Sequence, residues 1–145
     1  MHIADRTSFS TLSHHRDNAL ASTLELAGRI LLVSLFLIAG ADKIANYDAT
    51  VFLMASKGIP AAALPLVIAL DLLGSLAVVL GWKTRIAALL LAGFTLVAGA
   101  IFHGDFSDKM NLIMFTKNVS IVGGFLLLIG RGAGRYSLDA RAQGN

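Results

Sequence analysis

Long apolar runs alternate with short polar breaks along the whole chain. Four runs approach the ~20 residues that a helix needs to cross the hydrocarbon core of a bilayer. They cover residues 26–45, 59–81, 86–103 and 110–130. The third carries no charge between Ile86 and Phe102, whereas the first and fourth are each interrupted by lysine. The connections "GWKTR" and "HGDFSDKMN" are short, so consecutive helices are expected to pack antiparallel. The longer first connection, "NYDATVFLMASKGIP", contains an apolar piece that fits a half-buried interfacial helix. Pro60 and Pro65 fall at the start of the second run, where proline is tolerated. The pattern predicts an all-α fold, a four-transmembrane-helix antiparallel bundle over residues 24–136. A polar tail precedes it (residues 1–23), read as poorly ordered and cytoplasmic, and a short C-terminal tail follows (137–145).

Composition agrees with the pattern. Of 145 residues, 56% are hydrophobic, above the ~45–50% of an ordinary soluble domain. A small soluble fold cannot hide such a surplus, because it leaves much of its surface wet. Charge then sets the orientation. With four spans, both termini and the 82–85 turn share one side. That side collects Arg6, Arg16, Arg29, Lys83, Arg85, Arg131, Arg135 and Arg141, against Lys43, Lys57, Lys109 and Lys117 on the other. The positive-inside bias predicts N-in, C-in. The small residues at 39–41 resemble a signal-peptidase site, but the long polar lead-in argues against cleavage there. The scattered basic residues, in ones and twos, are unlike the clustered patch of a nucleic-acid binder. Zero cysteines exclude disulfides, thiolate metal sites and dithiol redox chemistry. His14 and His15 have no further ligand at helical spacing, so no metal site is expected.

Ionisable residues within spans normally face the bundle interior and pair with one another. Helical spacing assigns each to a face. In the third run Ala88, Ala92, Thr95 and Gly99 form a small-residue stripe that lets helices approach closely. His103 is the next step on it. In the first run Phe36, Gly40 and Lys43 share a face, with Arg29 toward its other end. Asp42 lies ~100° round from Lys43, so the two cannot face one partner. In the fourth, Lys117, Ser120 and Gly124 share a stripe, which turns Lys117 inward. The rise of ~1.5 Å per residue puts Asp71 roughly 16 Å below Pro60 and Lys117 roughly 10 Å below Met110. An Asp71–Lys117 pair is therefore expected, with Arg29 as the rival partner. Asp42, Lys43, Asp71, His103, Lys117 and Asn118 thus make a polar pocket or a polar helix lock in the outer half. Lys83, Arg85 and the arginines at 131, 135 and 141 read as turn and topology signals at the headgroup level. Gly130 and Gly134 fit a helix C-terminal turn better than a dimer face.

Several of these stretches together resemble the DoxX family of small bacterial integral membrane proteins. "RILLVSLFLIAGADKI" is similar to its first-helix signature, an arginine, an apolar run, then glycine shortly before lysine. "PLVIALDLLGSLAVVLGWKTRIAALLLA" resembles the second, with an acid, two glycines, a turn and an arginine. "FH", "KNVSIVGGFLLL" and "GRGAGRYSLD" follow in order. The resemblance covers residues 29–139. It implies a four-helix protein of the bacterial inner membrane, with Arg29, Lys43, Asp71, Arg85, His103, Lys117 and Asn118 at motif positions. Relatives often carry glutamate where this chain has the shorter Asp71. The family takes its name from a membrane subunit of a thiosulfate–quinone oxidoreductase.

Three functions compete. The first is an accessory or anchoring subunit of a quinone-linked redox system. It has no intrinsic cofactor and is no enzyme on its own, but holds a candidate quinone for a redox protein partner. Lys43, Lys117 and His103 would then supply donors to a carbonyl. The second is a small-molecule transporter or ligand-binding membrane protein. Four spans without an internal repeat make a monomeric alternating-access transporter a poor fit, so a homo-oligomer would supply the missing half. The third is a structural or chaperone-like membrane protein with the polar cluster as a lock.

Overall fold

A computed structural model describes residues 4–144, with side chains described from residue 19 onward except Gln143. His14 and His15 therefore lie outside the described side chains. Helix α1 runs unbroken from Ala4 to Ala45, so it begins well ahead of the apolar run. Asn46 breaks it, and α2 (Tyr47–Ser56) follows. This is the apolar piece of the first connection. Met54 is buried against the bundle while Phe52 is 78% exposed, as an interfacial helix requires.

The second span is composite. It opens with a 3₁₀ turn (Ala61–Ala63), continues as α3 (Leu64–Ala69), widens into a π turn (Leu70–Gly74) and closes as α4 (Ser75–Leu80). Pro65 lies in the first turn of α3, where its missing N–H costs nothing. Gly81 ends α4 in the left-handed conformation (φ 69°) that glycine adopts without strain. α5 (Thr84–His103) and α6 (Lys109–Arg131) are the third and fourth spans, and α7 (Leu138–Gln143) closes the chain. Four segments, Ala19–Ala45, Ala61–Leu80, Thr84–His103 and Lys109–Arg131, are long and apolar enough to cross a membrane. The predicted four-span all-α bundle is what the chain forms.

Each span buries one stripe. In α1 it is Ser22, Arg29, Val33, Phe36 and Gly40; in the second span Leu64, Asp71, Ser75 and Val78; in α5 Thr84, Ala88, Leu91, Thr95 and Gly99. The steps of three, four and seven are those of a helix face. The first and third stripes are the ones expected from spacing. In α6 the buried residues are Val122 and Phe125, with Asn118 half-buried on the same line. Phe36 of α1 and Phe125 of α6 lie with ring centroids 5.5 Å apart at 58°, a tilted pair that ties the first span to the fourth. Leu31, Ile38, Leu66, Leu73, Leu89 and Leu127 point outward, which suits a surface that faces lipid.

Candidate functional site

The site grows from the meeting of α1 with the π turn. Gly40 makes that meeting possible. A Cβ there would stand 2.8 Å from Leu72 Cδ2 and 3.1 Å from Asp71 Cβ. With hydrogen alone, the two backbones close, and Lys43 one turn further on reaches Asp71. Lys43 Nζ donates to Asp71 Oδ2 at 3.0 Å and lies 3.4 Å from the Ala39 carbonyl. The pair is lopsided in exposure, the lysine side chain being 23% exposed and the aspartate 1%. Asp71 is thus covered, with Lys43 and Asp71 both facing the space beside the pair.

That space is a cleft of about 100 Å³ lined by Phe36, Lys43, Asp71, Phe94, Thr95 and Asn118, among others. Thr95 is internally satisfied, its hydroxyl donating to the Leu91 carbonyl at 2.7 Å. Two buried oxygens nearby are not. Asp71 Oδ1 and Ser75 Oγ have no hydrogen-bond partner among the described residues. Buried polar atoms are ordinarily paired, and exceptions concentrate where a ligand or a function needs them. The π turn carries this cluster, since Asp71 sits within it and Ser75 directly follows. Such turns are frequent at functional sites because the extra residue disrupts the regular ladder. Asn118 packs from α6 against Gly99 of α5, where a Cβ would stand 2.8 Å from its Nδ2.

The remaining candidates fall elsewhere. Lys117 does not meet Asp71. It is exposed on the outer face of α6, with Nζ 3.4 Å from Met114 Sδ, and Asn118 takes the inward place. The expected Asp71–Lys117 pair is therefore replaced by Asp71–Lys43. The cause is register, because one residue turns a helix by ~100°. Asp42 is exposed and accepts from Asn46 Nδ2 at 2.7 Å. His103 is half-buried, with Nδ1 3.4 Å from Asn111 Oδ1 at the mouth of α5 and α6. It is separate from the Lys43–Asp71 cleft.

Arg29 does not reach Asp71 either. It is buried at the end of the bundle where the second span closes and the segment after α6 packs. Its guanidinium donates to the carbonyls of Val78 and Val79, both at 3.2 Å, and to that of Tyr136. A charge there is held by backbone oxygens rather than by an acid. The C-terminal segment completes the assembly. Ser137 N-caps α7 by accepting from Ala140 N at 3.1 Å. Asp139 then reaches the turn before α5, accepting from Lys83 N at 2.8 Å, Thr84 N at 2.9 Å and Thr84 Oγ1 at 2.7 Å. Burial opposes its charge, but the hydrogen bonds from Thr84 and Lys83, with the Arg29 guanidinium nearby, outweigh it and hold the carboxyl below the usual carboxylate range. Lys83, in the left-handed region at φ 45°, has no cap of its own, so Asp139 serves as the N-cap of α5 from 55 residues away. Sequence spacing gave no sign of this, since no local pattern links residue 139 to residue 84. Arg85 lies at 3.5 Å from the Gly130 carbonyl, and Lys83 Nζ is 5.5 Å from the Trp82 ring centroid.

Four apolar spans around a part-buried charge pair define a polytopic helical membrane protein with a polar centre. Its sequence is similar to known proteins of that kind. The DoxX family model matches residues 24–104, and the chain belongs to that family. It is 47% identical over 114 residues to the inner membrane protein YqjF of Escherichia coli (strain K12), a match covering 79% of this chain and 88% of YqjF. It is 39% identical over 140 residues to the inner membrane protein YphA of the same organism, covering 91% of this chain and 99% of YphA. No solved structure matches significantly. The chain is accordingly a multi-pass protein of the bacterial inner membrane.

Proposed function

We propose that this protein is an accessory membrane subunit, oriented N-in and C-in, that offers the Lys43–Asp71 cleft to the carbonyl edge of a quinone for a redox protein partner. The observation that carries the reading is Asp71 Oδ1, buried without a hydrogen-bond partner among the described residues, on a cleft that Lys43 also lines. The donor set fits such a ligand. Lys43 keeps ammonium protons beyond the one given to Asp71, and a positioned cation polarises a carbonyl. Asp71 Oδ1 is a free acceptor for a hydroxyl. Phe36 and Phe94 supply apolar walls. At about 100 Å³ the cleft holds the volume of only a few waters at ~30 Å³ each, so it takes one edge of a ring and leaves the rest in lipid. A quinone supplies two-electron, two-proton chemistry; the chain's part is to bind, orient and exclude water.

The test is quinone binding to the full-length protein in lipid nanodiscs, with folded yield measured alongside. Asn118→Ala alters the cleft without touching the ion pair. Loss of quinone binding at full folded yield supports the reading, and unchanged binding sinks it. The ion pair itself favours a second reading, a lock fixing the first span against the second. In that case Lys43→Met and Asp71→Asn each lower folded yield, the pair together restores it, and no quinone binds to any form. A reporter fused after Asn145 checks orientation; activity on the periplasmic side would contradict N-in, C-in.

A further inference from the structure

A second concavity lies at the opposite end from the Lys43–Asp71 cleft, beside the C-terminal segment. It measures about 750 Å³ and is lined by Lys83, Thr84, Arg85, Arg131 and Arg135, with Asp139 behind Thr84. The four cations come from two places brought together by the fold, the start of α5 and the end of α6 with the segment that follows it. All four are exposed, and none has an ion-pair partner among the described residues. The one acid on the wall, Asp139, is committed to the backbone and hydroxyl of Thr84 and to Lys83 N. Glu25 of α1 packs against Gly134 and lines the neighbouring cleft with Arg29 and Arg131. The concavity thus gathers four positive charges around space that an anion would fill.

Its depth is marked by aromatic residues. Trp82 directly precedes Lys83 and Tyr136 directly follows Arg135, and they are 55% and 53% exposed. Exposed Trp and Tyr at the ends of spans sit at the headgroup level of a bilayer. Ile86, 57% exposed and also on the wall, offers apolar surface on the span side. An anion with an apolar continuation matches both halves of this lining. Basic pockets beside spans recognise anionic headgroups by the same charge logic.

We infer that the Lys83–Arg85–Arg131–Arg135 concavity is a binding site for the phosphodiester headgroup of an anionic phospholipid. Arginine forks suit a phosphodiester, since each donates two parallel hydrogen bonds to its non-bridging oxygens. Lys83 adds a point charge. The site does not depend on the quinone reading, because it lies at the other end of the bundle and uses none of the same residues.

The test is native mass spectrometry of the full-length protein in detergent, titrated separately with phosphatidylglycerol, phosphatidylcholine and inorganic phosphate. The expected result is selective retention of phosphatidylglycerol, falling roughly fivefold for each charge removed in Arg85→Gln and Arg135→Gln. Arg85→Lys with Arg135→Lys should recover most of it. If Arg85→Gln folds poorly, Lys83→Gln with Arg135→Gln makes the same measurement without touching the Gly130 contact. Equal retention of phosphatidylcholine would overturn the site. So would an equal loss from Lys57→Gln with Lys109→Gln, charges outside the concavity. Inorganic phosphate binding as tightly as the lipid would overturn the lipid as the source.

Discussion

Lys43 Nζ lies 3.0 Å from Asp71 Oδ2, an ion pair that joins the first span to the π turn of the second. Removing one partner leaves the other charged and buried, which typically costs about 3–5 kcal/mol, whereas replacing both by apolar groups is often neutral. Lys43→Met should therefore lower thermal stability in detergent by about that amount. Lys43→Leu with Asp71→Leu should recover most of it. Lys117→Met, on the exposed face of α6, should stay within ~0.5 kcal/mol of the parent. Circular dichroism melts of the four proteins decide the matter. A Lys117→Met loss as large as that of Lys43→Met would contradict the pairing.

Arg29 holds three carbonyls from two parts of the chain. Hydrogen bonds to charged groups contribute ~1.5–3 kcal/mol each, with incomplete additivity. Arg29→Met should destabilise by several kcal/mol, on the order of 3. It should also free the segment around Tyr136. Limited proteolysis would then cut at Arg135 far faster than in the parent, while cleavage at Lys57 stays unchanged.

Asp139 gives a pH dependence with a defined sign. Its folded carboxyl is held below the ordinary value of ~3.9. The unfolded chain therefore binds the proton more readily. The stabilisation is complete above the unfolded value and is lost as pH falls through the lower, folded one. Asp139→Asn should cost about 1 kcal/mol at neutral pH, the usual worth of a helix cap. The gap between parent and variant should shrink as the pH is lowered past ~4, the unfolded value. A gap that stays constant down to pH 2 would count against the cap.

Two glycines of α1 should respond in opposite ways. At Gly40 a methyl would meet Leu72 at 2.8 Å, so Gly40→Ala should push α1 off the π turn and cost ~1–3 kcal/mol. At Gly28 a Cβ meets nothing within 4 Å. There Gly28→Ala should be neutral or stabilise by up to ~1 kcal/mol, since alanine is the better helix former. Parallel melts, with quinone binding for Gly40→Ala, check both.

The spans were legible because hydrophobic length is a strong signal for a membrane helix. So were the inward faces of α1 and α5, where small residues and lysine fall at steps of three and four. In α6 the rule that charges face inward chose Lys117 over its neighbour. A lysine stem is long enough to carry its charge along an exposed face. The shorter asparagine cannot, so the interior receives Asn118. The Lys43–Asp71 pair was not read from the sequence, which named Lys117 and Arg29 as the partners of Asp71. Spacing fixes a face but not which neighbouring face it meets. The π turn and the Asp139 cap left no readable pattern, one being a local widening of the ladder and the other a long-range contact.

Arg29 belongs to the first span, yet one of its three carbonyls lies 107 residues later, at Tyr136. During synthesis the guanidinium enters the membrane long before that oxygen exists. The first helix therefore cannot complete its contacts until the chain has been made through Tyr136. The closing segment thus completes the setting of the first helix, and a chain that stops before Tyr136 leaves the Arg29 guanidinium with two of its three carbonyls.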